Sequence, residues 1–428
     1  MRPLAKPFCA LPLLAATYAF SGATPEPQSF YVHSGDTVVF YGDSITEQRL
    51  YTNITELYAL TRNPKLNATF INSGWGGDKV TGGGGGPIDL RLQRDVYPYK
   101  PTVMTIMLGM NDGRYANHTA ADDDVYYSGY RHIIESVRQH FPNIRITAVE
   151  PSPFDDVTRP ITLQPSGYNE ILLKYSSWIR RYAKEANLEV ADFNNPVVDM
   201  LRLAAGSDSA TAQKIIPDRV HPGLAGHLVM AEQLLKAWNA REVVSAVTID
   251  ARSGKVLQSD FAHITNLHGN NPFIWTELDD ALPLPFANML ANDRDHTVAL
   301  ALKSSDVTQA LNEQMLRITG LSAGSYKLTI DGEFVGQWTN NELAHGVNLA
   351  VLETPMEMQA AEVRDLTSRH IDIHQFRWRT LQVPLQDSDV EHLDSTLKAL
   401  DAVEADVVRL QRAAAQPRPH VFQIVPAA

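Results

Sequence analysis

Short apolar segments alternate with longer helical patterns between residue 37 and about residue 240, and this alternation limits the possible folds most strongly. The apolar segments predict strands at 37–41, 69–72, 103–108, 144–149 and 188–192, and longer patterns at 125–140 and 166–186 predict helices. The strand segments are almost continuously apolar, which is typical of strands that are covered on both faces. The sequence therefore predicts an α/β fold built on a parallel sheet of about five strands.

The alternation ends near residue 243, and a second type of pattern follows. Residues 314–336 predict consecutive strands, and Asp331-Gly332 is a strong hairpin signal. Residues 356–370 predict a helix, and apolar residues three or four apart predict an amphipathic helix at 392–415. We predict a first domain at 30–242, a strand-rich α+β accessory domain at 245–385 and a helical tail at 388–428.

The first residues, Met1 to about Ala23, have the pattern of a secretory signal. Arg2 and Lys6 precede an apolar run that is too short to span a bilayer, and small residues follow it. We expect a secreted or periplasmic protein without stable membrane insertion. The single cysteine, Cys9, lies in this segment, so the mature chain is expected to hold no disulfide and no cysteine-ligated metal.

The charge balance bears on the partners of the chain. Lys and Arg total 37 against 49 Asp and Glu, which gives a formal net charge of -12. Proteins that bind duplexes need cations to replace phosphate counterions, so nucleic acid is excluded as an expected partner. Residues 122–124 are three consecutive aspartates, which we interpret as the start of a helix because a full set of metal ligands is lacking. No metal and no cofactor are predicted, and the sequence makes no prediction of oligomeric state.

Four polar motifs follow predicted strands or precede the last predicted helix, at the sheet edge where α/β proteins bind ligands. Ser44 follows the first strand in Tyr41-Gly-Asp-Ser and opens a predicted helix. A serine there can attack a carbonyl carbon while its own N–H stabilises the oxyanion. The alternative interpretation is a serine that only caps the helix.

Two further motifs offer donors for an oxyanion. Gly74, in the glycine-rich loop after the second strand, presents a backbone N–H that no side chain shields, although a simple glycine turn is the alternative. Asn111, after the third strand, carries an amide donor, and a loop-stabilising asparagine is the competing interpretation.

The fourth motif, Pro217-Asp-Arg-Val-His-Pro222, carries a candidate base. His221 can take the proton of Ser44, and Asp218 can hold the imidazole in the required tautomer. Two surface residues or two metal ligands are the alternatives. Possible substrate-binding residues are Asp43, Trp75 and Asp112.

A glycine run at 82–86 follows the second motif. We interpret it either as a mobile lip of the cleft or as a flexible linker, because glycine permits both.

These four motifs, in this order, resemble those of the SGNH hydrolase superfamily, also called GDSL esterases, over about residues 38–240. The resemblance implies a flavodoxin-like three-layer fold and metal-independent ester hydrolysis through an acyl-serine. It places the nucleophile at Ser44, the oxyanion hole at Ser44, Gly74 and Asn111, and the His and Asp partners at His221 and Asp218.

We therefore predict a secreted serine esterase that removes short acyl groups, acetyl in particular, from a carbohydrate. Its expected partner is a small-molecule or polysaccharide ester substrate. A lipase, lysophospholipase or thioesterase is the enzymatic alternative, because one scaffold hosts all these activities. A carbohydrate-binding protein on a hydrolase scaffold is the non-enzymatic alternative, and an intact Ser-His-Asp set argues against it.

Overall fold

The computed structural model describes residues 29–269 and 272–427. The predicted signal segment, Met1 to about Ala23, lies outside the described residues, so secretion stays a prediction. In the described part of the chain, no helix is both long enough and apolar enough to cross a membrane.

The N-terminal region, residues 29–242, alternates strands and helices as predicted. Its strands are β1 (Thr37–Gly42), β2 (Thr69–Gly74), β3 (Gly82–Gly83), β4 (Gly86–Pro87), β5 (Val103–Met107), β6 (Arg145–Val149) and β7 (Glu189–Ala191). Its helices are α1 (Ser44–Glu47), α2 (Leu50–Arg62), α3 (Ile88–Asp95), α4 (Ala120–His140), α5 (Asn169–Ala186), α6 (Asn195–Ser207), α7 (Ser209–Ile215) and α8 (Leu224–Ala237), with a 3-10 turn at Tyr97–Tyr99.

Five of these strands form one parallel sheet in the order β2-β1-β5-β6-β7. The predicted parallel α/β sheet is therefore confirmed. Helices cover the sheet, and the strand side chains are buried on both faces, as their continuous apolarity requires. β1 lies inside the sheet, so its carboxyl end is surrounded by the loops that follow β2 and β5.

The aspartates at 122–124 begin a helix. The Thr119 hydroxyl oxygen accepts from the Asp122 N–H, and the Asp122 carboxylate accepts from the Thr119 N–H, which makes a capping box at the start of α4. The interpretation of this acidic triplet as a helix start is confirmed.

The C-terminal region, residues 243–427, contains two further sheets. Its strands are β8 (Val243–Asp250), β9 (Lys255–Asp260), β10 (Ala262–His268), β11 (Phe273–Asp279), β12 (Glu313–Thr319), β13 (Ser325–Ile330), β14 (Glu333–Thr339), β15 (Val347–Asn348) and β16 (His420–Pro426). Its helices are α9 (Phe286–Ala291), α10 (Thr297–Lys303), α11 (Val307–Leu311), α12 (Asn340–His345), α13 (Pro355–Gln375), α14 (Val383–Leu385) and α15 (Leu393–Ala414), with a 3-10 turn at Leu349–Val351 and a π-helix at Phe376–Gln382.

The sheet orders are β10-β11-β16-β13-β14 and β15-β12-β8-β9. The predicted hairpin at Asp331-Gly332 joins β13 to β14. The predicted helical tail at 388–428 needs correction, because β16 ends it and lies between β11 and β13. His420, Phe422 and Ile424 are buried and alternate with more exposed residues, which is the period of a strand.

Helices of the C-terminal region pack on the N-terminal region. His370 of α13 lies 2.8 Å from the Glu56 carboxylate of α2, and Gln411 of α15 donates to the same oxygen over 2.8 Å. Trp378, in the π-helix, is buried and donates to Asp95 at the end of α3 over 2.7 Å. The C-terminal region therefore contacts the elements that carry the glycine-rich loop.

Candidate active site

Ser44 begins α1 directly after β1, and two neighbours make this tight turn possible. A Cβ at Gly42 would lie 2.2 Å from Thr46 Oγ1 and 2.7 Å from the Met107 carbonyl oxygen, so only glycine fits. The Asp43 carboxylate caps the turn by accepting from the Ile45 N–H over 3.0 Å. Ser44 is half-buried at the carboxyl end of β1.

The predicted serine, histidine and aspartate meet in one hydrogen-bonded chain. His221 Nε2 lies 2.8 Å from Ser44 Oγ, and His221 Nδ1 lies 2.7 Å from Asp218 Oδ2. A carboxylate can only accept, so Nδ1 carries the hydrogen and Nε2 is left to accept from the serine hydroxyl. This geometry can deprotonate Ser44.

Asp218 is kept in its charged form by its own loop. Its Oδ1 accepts from the backbone N–H groups of Val220, over 2.9 Å, and His221, over 2.7 Å. Partial burial acts to raise the pKa of Asp218, but these bonds and the imidazole outweigh it and lower the pKa.

The glycine-rich loop differs from the prediction at Gly74. The Gly74 N–H donates to Asn72 Oδ1 over 3.1 Å, and a Cβ at Gly74 would lie 2.2 Å from the Glu47 nitrogen. The glycine therefore packs against α1 and has no free donor, which corrects its predicted place in the oxyanion hole. Gly77, in the left-handed region at φ 78°, has a backbone N–H without an acceptor in the described residues.

Asn111 lies beside this loop. Its Nδ2 donates one hydrogen to the Asp78 carbonyl over 3.0 Å, and Tyr115 donates to its Oδ1 over 3.3 Å. The second amide hydrogen has no acceptor among residues that the structure describes. The first of these bonds joins the amide to Asp78, the residue that follows Gly77 in the loop.

Two of the three possible substrate-binding residues, Asp43 and Trp75, are buried, so that prediction is wrong for these two, and for Asp112 it stays a prediction. Asp43 is buried, and burial raises its pKa to about 7. Asp112 accepts from the Val80 N–H over 3.0 Å, and burial raises its pKa to about 7 as well. Trp75 is buried, and the Arg379 guanidinium lies 3.3 Å from its ring centroid, so no sugar can stack there.

Comparison with known proteins places this geometry in a family. The model of the GDSL-like lipase/acylhydrolase family matches residues 40–229. Those residues belong to this family. The resemblance seen in the four sequence motifs is confirmed, and the GDSL-like domain is that of a carboxylic ester hydrolase.

One solved structure of similar length shares the fold. The gut microbial diltiazem-metabolizing enzyme BT4096 is 24% identical, with a TM-score of 0.77 over 92% of this chain and 98% of its own. Its similarity extends across both regions. The acetylxylan esterase Axe2 from Geobacillus stearothermophilus is 22% identical, with a TM-score of 0.38 over 49% of this chain and 97% of its own. LAE5, an alpha/beta hydrolase from the metagenome of Lake Arreo in Spain, is 22% identical, with a TM-score of 0.39 over 49% of this chain and 97% of its own. No curated protein matches the sequence.

The glycine run of the GDSL-like domain is neither a mobile lip nor a linker. It folds into the short β3–β4 hairpin and packs on the glycine-rich loop. A Cβ at Gly83 would lie 2.3 Å from the Gly77 carbonyl oxygen, and one at Gly84 would lie 2.7 Å from the Gly76 carbonyl oxygen. Glycine is needed here because two backbones approach closely.

Tyr115 was not singled out in the sequence, but its side chain contacts Asn111. Its ring is 45% exposed and stacks on Tyr168 at 4.8 Å. Burial, and then the charges of Asp43 and Asp218, raise the pKa of Tyr115 to about 12. Its position next to Asn111 was the only signal in the sequence.

A cavity of about 530 Å³ is lined by Gln48 and Leu224, which follow Ser44 and His221 in the chain, and by no residue of the Ser-His-Asp set. Gln48, one turn after Ser44, lines it and donates to the Pro222 carbonyl over 3.2 Å. The opposite wall belongs to the C-terminal region and mixes polar with apolar side chains, among them Asn292, Thr297 and Ile371. Within the described residues, no group of three or more His, Cys, Asp or Glu side chains is arranged to hold a metal ion.

Proposed function

We propose that Ser44, His221 and Asp218 form the catalytic triad of a secreted esterase. The observation that carries the proposal is the unbroken chain from Asp218 through His221 to Ser44, with contacts of 2.7 and 2.8 Å. Ser44 Oγ attacks the ester carbonyl carbon while its proton passes to His221 Nε2. The imidazolium returns this proton to the leaving alcohol oxygen, and the acyl group stays on Ser44.

Deacylation repeats these steps with water. His221 Nε2 takes a proton from a water molecule, whose oxygen attacks the acyl carbon. The Ser44 oxygen leaves with the proton from Nε2, which releases the carboxylic acid and restores the enzyme. The ionised Asp218 stabilises the imidazolium in both halves of the reaction.

The oxyanion hole contains the N–H groups of Ser44 and Gly77 and the second amide hydrogen of Asn111. Gly77 replaces Gly74 in this assignment because its N–H has no acceptor in the described part of the chain. A Cβ at the preceding residue, Gly76, would lie 3.8 Å from Ser44 Cβ, so the loop passes close to the nucleophile. Donors that are already in place stabilise the developing charge without reorganisation.

The acyl group is short, acetyl in particular. Asp43 comes directly before Ser44 in the chain and Asp112 directly after Asn111, and withdrawal of their carboxyl groups from water raises the pKa of each to about 7. A long alkyl chain would have to cover such polar groups, which costs free energy. This feature disfavours the lipase and lysophospholipase alternatives.

The alcohol part is a carbohydrate. The cavity next to Gln48 has room for a group larger than the acyl part, and charged, amide and hydroxyl side chains line it together with apolar ones. Sugars present both hydroxyl groups and apolar ring faces, so this lining suits them. The predicted signal segment agrees with an extracellular polysaccharide as the source of such esters.

The test compares wild type with Ser44→Ala on p-nitrophenyl esters of increasing chain length, on acetylated xylan and on diltiazem. We expect a rate maximum at acetyl, release of acetate from the glycan and a loss of several orders of magnitude in Ser44→Ala. A maximum at long chains would support the lipase alternative and contradict the substrate class. Equal hydrolysis by Ser44→Ala would contradict the mechanism.

A further inference from the structure

We propose that Arg379, in the π-helix of the C-terminal region, is a positioning residue for the oxyanion hole of the GDSL-like domain. It acts through Glu47 and the Gly76 peptide, and it does not touch the substrate. The proposal rests on the proposed function, because it concerns the donor assigned to Gly77. It gives the C-terminal region a part in the reaction.

Glu47 joins the two catalytic loops. It ends the single turn of α1 that Ser44 begins, and its Oε2 accepts from the Gly76 N–H over 2.7 Å. A Cβ at Gly76 would lie 2.9 Å from the same oxygen, so the carboxylate and the loop backbone are in direct contact. This bond fixes the Trp75–Gly76 peptide, which is directly followed by the Gly76–Gly77 peptide that carries the Gly77 N–H.

Arg379 holds Glu47 in that position. Its Nε and Nη2 donate to Glu47 Oε1 over 3.2 and 3.0 Å, and its guanidinium lies flat against Trp75, 3.3 Å from the ring centroid. Both side chains of the ion pair are about a quarter exposed. The pair is therefore partly shielded from water, and the guanidinium covers the tryptophan that precedes Gly76 in the loop.

The π-helix determines where Arg379 lies. The Val383 N–H donates to the Trp378 carbonyl five residues earlier, which is the wide turn of this helix type. Trp378 is anchored by its bond to Asp95 and packs edge-on against Trp75 at 5.7 Å. Arg379, the next residue, is thereby directed onto the same loop from the C-terminal region.

Two consecutive glycines make this anchor necessary. Gly76 and Gly77 have wide backbone freedom, so the Gly77 N–H can point in many directions unless neighbouring groups are fixed. The β3–β4 hairpin packs against the carbonyl side of both glycines, and Glu47 holds the Gly76 N–H. Without Arg379 the Glu47 carboxylate loses its charged partner and can turn towards water, which releases this hold.

The experiment measures kcat and KM for p-nitrophenyl acetate in Arg379→Met, Glu47→Gln and the double variant. We expect kcat to fall about 10- to 100-fold in Arg379→Met with KM changed less than about twofold, because an oxyanion donor acts in the transition state. Arg379→Lys should recover part of the loss. The two single effects should not add in the double variant, because both act through one bond network.

The matched control is Arg377→Met. Arg377 lies in the same π-helix and pairs with Asp401 at 2.5 Å, away from the glycine-rich loop. The Arg377→Met variant should keep the wild-type kcat, while its melting temperature should fall by about as much as that of Arg379→Met. An unchanged kcat in Arg379→Met, an equal loss in Arg377→Met, or a change in KM alone would overturn the proposal. The Ser44→Ala variant distinguishes failure of the Arg379 proposal from failure of the proposed function. Full activity of Ser44→Ala would contradict the proposed function itself.

Discussion

Asp218 accepts three hydrogen bonds, and all of them come from its own loop, which also carries His221. The carboxylate is thus oriented by local backbone as well as by the imidazole. Because the pKa of Asp218 is lowered, its carboxylate stays ionised at acid pH values at which a free aspartate would already gain a proton. Protonation of Asp218 should therefore not cause a loss of activity in the pH range in which a free aspartate gains a proton.

Removing the charge of Asp218 should uncouple the triad. We expect kcat of Asp218→Asn to fall by about four orders of magnitude, because the amide favours the wrong imidazole tautomer and cannot stabilise the imidazolium. Steady-state hydrolysis of p-nitrophenyl acetate measures this. Asp208→Asn is the control, since Asp208 caps the exposed start of α7, and its kcat should stay at the wild-type value. A loss below tenfold in Asp218→Asn would contradict the assigned role.

The sequence predicted Ser44, Asp218, His221 and Asn111 at this scale, because each lies in a short motif directly beside a regular element. It misplaced the oxyanion glycine. The choice between Gly74 and Gly77 depends on which N–H the Asn72 side chain takes, and that is a property of the folded loop. Trp75 was misread for a similar reason, because Arg379, which covers it, lies about 300 positions away in the chain.

Periodicity predicted the elements of the parallel sheet well, since buried strands need continuous apolar segments. It gave no sign that the glycine run would become the β3–β4 hairpin. The reason is that glycine has no side-chain pattern, and the contact of Gly83 with Gly77 is made by backbone atoms. The seven residues of β16 were missed because a strand at the end of a helical tail obtains both its partners from distant segments.

Adding one methyl group to the hairpin should disturb the glycine-rich loop. In Gly83→Ala the new Cβ would meet the Gly77 carbonyl oxygen at 2.3 Å, so one of the two backbones must move. We expect kcat to fall at least about tenfold together with a lower melting temperature. Gly206→Ala is the matched control.

The Gly206→Ala control separates the effect of the Gly83–Gly77 backbone contact from the general effect of replacing glycine by alanine. Gly206 lies in α6 with no atom within 4 Å of its ideal Cβ position. Alanine favours a helix by about 1 kcal/mol over glycine, so this variant should be as active as wild type and equally or more stable. Full activity of Gly83→Ala would show that the loop tolerates the displacement.

The two regions of the molecule share buried polar contacts. His370 of α13 lies against Glu56 of α2, and Glu404 of α15 approaches the other ring nitrogen at 3.5 Å. Burial acts to lower the pKa of His370, but the charge of Glu56 and the bonds to both glutamates outweigh it and raise the pKa to about 10. No sequence pattern indicated this contact, because its partners are 314 positions apart.

This contact makes stability depend on pH in a definite direction. A histidine whose folded pKa is raised contributes fully below its unfolded pKa of about 6.5 and loses that contribution as pH rises towards the folded value. His370→Gln should therefore reduce the free energy of unfolding most at pH 6, and the difference from wild type should shrink towards pH 10.

Urea denaturation at pH 6, 8 and 9.5 measures this difference. His263→Gln is the control, because His263 is exposed and pairs with the exposed Asp280 at 3.1 Å. It should differ little from wild type at every pH. A His370→Gln difference that stays constant or grows with pH would contradict the charged state assigned to the histidine.

The most direct test of the central claim is to trap the acyl group on the enzyme. Wild type is mixed with p-nitrophenyl acetate, quenched in acid within the first turnover, digested and analysed by mass spectrometry. We predict one added acetyl group on the peptide that contains Ser44, and none on that peptide in Ser44→Ala. The mechanism would be contradicted if the acetyl group were found on another residue and were hydrolysed from it at the steady-state rate. Undiminished hydrolysis by Ser44→Ala would contradict it as well.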